Sequence, residues 1–174
     1  PFYSCSNERF ASDQDISRAA WTADLICGKQ VRLTDGRYPV FPKSMQNAIK
    51  EFTSNGGNLI VSGAYIGTDA SDFVRNILGY KYITSNAGRH GQLKPWSKSP
   101  VENLESMAFS VTQNRDIYCI ESADAIAPAS KNAQTVLKYS DSNLSAGVAY
   151  QSDGYKVVSY GFPIETLLTQ GTVS

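Results

Sequence analysis

GGNLIVSGAYIGTD, residues 56–69, is the stretch whose reading decides the fold. Gly56 and Gly57 end a helix, because glycine takes the left-handed position after a last turn without steric cost. Leu59, Ile60, Val61 and Ser62 make a short, mostly apolar run of strand length, and Gly63-Ala64-Tyr65-Ile66-Gly67 forces a sharp turn. Another helix starts at Asp69. Helix, buried strand, glycine-flanked elbow and helix, in that order, form the central unit of an open parallel sheet, and the elbow is where such a sheet displays a nucleophile. Tyr65 stands at its tip.

Upstream, Met45, Ala48, Ile49 and Phe52 fall at i, i+3, i+4 and i+7, one stripe of an amphipathic helix with Ser44 as its N-cap. Lys29 to Pro42 carries Gly36, Pro39 and Pro42 and reads as a loop. Before it, Ala23 to Gly28 reads as a buried strand, Ile16 to Trp21 as a short helix and Phe2 to Ser6 as a first strand. Downstream, Asp69 and Asp72 lie in a first helical turn, Phe73, Val74, Ile77 and Leu78 supply its buried side, and Gly79 closes it. Tyr80 to Ile83 is a further strand and Thr84 to Pro100 a loop. The last third is strand-rich, with β-type runs at Met107–Val111, Ile117–Ile120, Thr135–Tyr139, Ala146–Tyr150 and Tyr155–Tyr160, the last two forming a hairpin across QSDG. Glu165 to Leu168 begins a closing helix.

The chain has 174 residues, enough for one domain with a sizeable core, and residues 1–174 are read as a single domain. Lys plus Arg equals Asp plus Glu at 16 each, so no basic stripe tracks phosphates and nucleic acid is not an expected partner. Charged residues make up 18 %, below the roughly 25 % of an average soluble domain, and Ser, Thr, Asn, Gly and ten Tyr fill the difference. A polar but weakly charged surface suits an extracytoplasmic protein. No run reaches the ~18 apolar residues of a membrane span. The chain begins at Pro1 without methionine and is read as an excised segment or processed product.

Candidate chemistry is sparse. Cys5, Cys27 and Cys119 lack metal-ligand spacing, and reduced, buried thiols are expected, with one disulfide plus a free thiol as the alternative. His90, the single histidine, lies in SNAGRHGQLKPW without a Cys or Glu pair nearby, so a metal site is not expected, nor is a cofactor. Asp69 stands four positions after Tyr65 and reads first as a helix cap, second as a carboxylate for catalysis. Trp96, beside Pro95 and among Arg89, Lys94 and Lys98, reads as a loop anchor or as a platform on which a sugar stacks. Nucleotide or flavin binding at the elbow lacks a phosphate cradle, since SGAYIGTD has neither G-x-G-x-x-G nor a P-loop lysine.

The elbow GAYIG and the terminal strand running into GFPIE together resemble the class I glutamine amidotransferase-like group of flavodoxin-like folds, whose active members carry G-x-C-x-G at the elbow and His-Pro-Glu after the last strand. More closely, SCSNERF, DLICGKQ, GGNLIVSGAYIGTD and VVSYGFPIETL look like a module of large secreted or surface proteins of Bacteroidetes that bear the labels xanthan lyase or N-acetylmuramoyl-L-alanine amidase. The resemblance implies an α/β three-layer sandwich with a mainly parallel sheet and an antiparallel strand-rich C-terminal third. Two substitutions separate this chain from the active members. Tyr65 replaces the elbow cysteine, and Phe162-Pro163-Ile164-Glu165 replaces His-Pro-Glu, so the general base is missing. A phenol with a pKa near ~10 is a poor nucleophile unless strongly activated.

The expected function is therefore a non-catalytic scaffold or binding module of a polysaccharide- or cell-wall-related protein, with Ser62, Tyr65 and Trp96 as candidate ligand contacts and polysaccharide or sister domains as partners. The alternative is a carbohydrate-active enzyme, either a lyase using Tyr65 with Arg75 or His90, or a hydrolase using Asp69 and Glu165.

Overall fold

The computed structural model describes residues 25–28, 32–33, 36–37, 40–41, 43–66, 71–112, 120 and 122–168. The readings of a strand at Phe2–Ser6 and a helix at Ile16–Trp21 lie outside them, as do Cys5, Cys119 and most of Ile117–Ile120.

A seven-stranded sheet organises the chain, in the order β1 (Leu25–Gly28), β4 (Leu59–Gly63), β11 (Lys156–Tyr160), β10 (Ser145–Gln151), β9 (Ala133–Tyr139), β6 (Gln92–Pro95) and β7 (Met107–Ala108). β4 pairs in parallel with β1 and with β11, and every other pairing in this sheet is antiparallel. Two short pairs stand apart: β2 (Arg32–Leu33) with β3 (Gly36–Arg37), inside the stretch read as a loop, and β5 (Tyr80–Thr84) with β8 (Ala125–Pro128).

The expected mainly parallel sheet is thus corrected: the fold is mixed α/β and the sheet mostly antiparallel. The reason is local to two stretches. After the elbow's helix, β5 joins β8 in a separate ladder instead of returning beside β4. The C-terminal strands then pair through short turns, which only antiparallel neighbours permit. β6 also corrects the loop expected over Thr84–Pro100. Its one core side chain is Leu93, at 1 % exposure, so its four residues show no readable alternation between Gly91 and Pro95.

Helix α1 (Lys43–Ser54) buries the stripe read from its sequence, with Met45, Ala48, Ile49 and Phe52 in the core. It ends as the glycines require. Gly56, at φ +84°, donates its N–H to the Thr53 carbonyl at 3.0 Å, and Gly57 donates to Phe52 at 3.0 Å, a Schellman closure. Helix α2 begins at Ser71–Phe73 and continues as a π-helical turn, Val74–Leu78, closed by Gly79 at φ +77°. Both helices pack against Leu59, Val61, Val148 and Val157 on one face of the sheet. The opposite face is covered by a second core, in which Phe109, Tyr139 and Phe162 meet Leu93 and Val136. The closing helix expected from Glu165 is a single 3-10 turn, Ile164–Thr166, because Leu167 turns extended and bridges Phe109.

Candidate functional site

The C-terminal ends of the three parallel-paired strands converge, and the elbow leaves from the middle one. Tyr65 sits at its tip with φ +64°, the left-handed region, which costs a non-glycine residue about 1–2 kcal/mol. The backbone at the tip of the elbow is therefore strained, and it holds a half-buried tyrosine. Ile66 follows, fully buried, and its carbonyl accepts a hydrogen bond of 2.8 Å from the Tyr80 hydroxyl.

Parallel pairing brings the second motif alongside. Ser62 is registered with Tyr160, so GFPIE leaves β11 next to the elbow. Ser62 is completely buried, and its Oγ accepts the Ile164 N–H at 3.5 Å, linking the two motifs from inside. Phe162 is also completely buried. Its ring stacks on Phe109 at 5.3 Å, with Tyr160 at 5.6 Å. Glu165 is exposed on the 3-10 turn. Asp69 lies outside the described residues.

One group here escaped the sequence reading. Asp124, just before β8, is completely buried. Its N–H donates to the Gly161 carbonyl at 2.7 Å, and its own carbonyl accepts the Tyr139 hydroxyl at 2.7 Å. The approach is so close that a Cβ on Gly161 would lie 2.0 Å from the Asp124 carbonyl oxygen. Burial first, and the Asp124 charge second, hold the Tyr80 and Tyr139 phenols well above their ordinary pKa. The available signal was a carboxylate set flush against the apolar Ala125-Ile126, where an exposed loop residue is out of place.

The remaining candidates lie elsewhere. His90 adjoins β6, four strands from β4 and therefore about 19 Å across the sheet at ~4.8 Å per strand. It is exposed and faces Asp141, Nδ1 to Oδ2 3.6 Å. Arg75 is exposed on the π turn. Trp96 directly follows β6 on the far side of the sheet, with the Lys138 ammonium 3.9 Å from its ring centroid. A groove of about 650 Å³ also opens at that far edge, lined by Gln92, Asn103, Leu104, Glu105 and Met107 among others. Among the described residues no cluster of three or more His, Cys, Asp or Glu forms a metal site, and no helix is long and apolar enough to cross a membrane.

No family model and no curated protein matches the chain.

Proposed function

We propose that this chain is a catalytically silent member of the class I glutamine amidotransferase-like, flavodoxin-like group, serving as a scaffold or binding module within a secreted or cell-surface protein that handles polysaccharide or cell wall. The observation that carries the reading is Phe162. Where acyl transfer would need an imidazole beside the elbow, this ring is completely buried and stacked on Phe109. The parallel trio β1-β4-β11, the left-handed Tyr65 and the GFPIE segment alongside it support the kinship. Nucleophile and base act as a unit, so losing both removes several orders of magnitude in rate.

The test is turnover. The chain is expected to release no ammonia from glutamine and no nitrophenol from p-nitrophenyl esters above the buffer rate. It is likewise expected to leave the reducing ends and unsaturated products of acidic and neutral polysaccharides unchanged. A turnover that disappears in Tyr65→Phe would replace this reading with the alternative, a carbohydrate-active enzyme centred on the elbow.

A further inference from the structure

Lys94 of β6 and Lys138 of β9 are direct partners across the antiparallel ladder, which sets their Cβ atoms about 5 Å apart on one face. The adjacent pair, Leu93 and Tyr139, is buried in the second core, and alternation along the strands sends both lysines to the other face. Like charges in directly opposed positions repel and destabilise a ladder. Both side chains are half-buried, and among the described residues neither forms an ion pair. Asp141, three residues beyond Lys138, is engaged elsewhere: its Oδ1 accepts the Ser142 N–H at 2.8 Å and its Oδ2 the His90 N–H at 3.2 Å.

The Trp96 ring explains how one member of the pair, Lys138, is held. With the Lys138 ammonium 3.9 Å from its centroid, the electron-rich face of the indole positions the cation. That face is therefore taken by an ammonium and does not serve as a stacking surface for a neutral sugar. Ser145 of β10 is registered with Lys138, its hydroxyl donating to the Gly147 carbonyl at 3.2 Å, and Lys98 stands exposed in the turn after Trp96.

We propose that this face binds an acidic polysaccharide, with Lys94 and Lys138 paired to its uronate carboxylates and Trp96 acting as a positioning residue for Lys138. The inference rests on the binding-module reading and names its ligand class and its place. Charge complementarity selects the ligand. The chain as a whole is neutral, with 16 cationic and 16 acidic residues, so the cations are a local pair beside one hydroxyl and not the extended stripe that a nucleic acid needs.

Isothermal titration of the whole chain with polygalacturonate, with dextran of matched length as the neutral probe, tests the site. Polygalacturonate is expected to bind, to weaken as salt rises from 50 to about 500 mM, and to lose about fivefold in affinity in Lys94→Ala and in Lys138→Ala. Lys131→Ala, on a remote turn, leaves it unchanged, and Trp96→Leu weakens it while Lys138→Arg retains it. Circular dichroism establishes that each variant is folded. The proposal is overturned if no binding occurs, if dextran binds equally well, if folded lysine variants keep full affinity, or if duplex DNA binds as tightly as polygalacturonate. Turnover at Tyr65 would displace the non-catalytic reading without touching the lysine dependence, so the two failures are told apart.

Discussion

Replacing Tyr65 by glycine and, separately, by alanine measures the strain stored at the elbow. Both substitutions remove the same phenol apart from one methyl, so packing losses nearly cancel in the comparison. At an ordinary strand or helix position alanine is the more stable by about 0.5–1 kcal/mol, because glycine loses more chain entropy on folding. At φ +64° the Cβ meets the following carbonyl, and the left-handed penalty of about 1–2 kcal/mol falls on alanine alone. The difference leaves Tyr65→Gly ahead of Tyr65→Ala by about 0.5–1 kcal/mol, a reversal of sign. Urea denaturation reads it as a higher midpoint for the glycine variant at equal slope, and thermal melting as a rise of about 1–4 °C. The same two changes at Tyr82, a strand residue outside the left-handed region, are expected to favour alanine. If alanine is the more stable at both positions, the elbow is not strained and the likeness to a nucleophile-bearing turn loses its backbone argument.

Gly161→Ala forces a Cβ to 2.0 Å from a backbone oxygen and is expected to cost about 3 kcal/mol or prevent folding. Gly154→Ala meets nothing within 4 Å and loses only the penalty of its φ of +100°, so thermal melts should separate the two clearly. Ser159 is completely buried and its hydroxyl has no partner among the described residues, so Ser159→Ala is expected to be neutral or to stabilise by about 1 kcal/mol in urea denaturation. The buried phenols set an alkaline limit. Tyr80 and Tyr139 stay protonated in the folded chain after their unfolded counterparts ionise near ~10, so the folded state binds more protons there and stability falls as pH rises above that value. Urea midpoints between pH 9 and 11 should drop more steeply for the native chain than for Tyr139→Phe.

Local chemistry made part of this fold legible. The stripe of α1, the two glycines that end it, the apolar run of β4, Gly79 and the β10–β11 hairpin each carry their instruction within a few residues. The neighbours of each strand do not. Nothing in Tyr80–Thr84 says that it pairs with β8 rather than beside β4, and that choice is what turns a parallel expectation into a mostly antiparallel sheet. β6 was hidden because a strand with a single core side chain has no period to detect. At the site, the elbow and GFPIE were readable as motifs and their adjacency follows from the parallel register. Asp124 carried only the local sign of a carboxylate against Ala125-Ile126; its role comes from Gly161 and two tyrosines far apart in sequence.

The bond from the Tyr80 hydroxyl to the Ile66 carbonyl ties the elbow to a ladder that is not part of the main sheet. Whatever loosens β5 from β8 thereby frees the descending limb of the turn, and the two should open as one cooperative unit. Amide exchange would register this as matched protection for Tyr80, Ile126 and the elbow, with the turn slackening together with the small ladder while α1 stays closed.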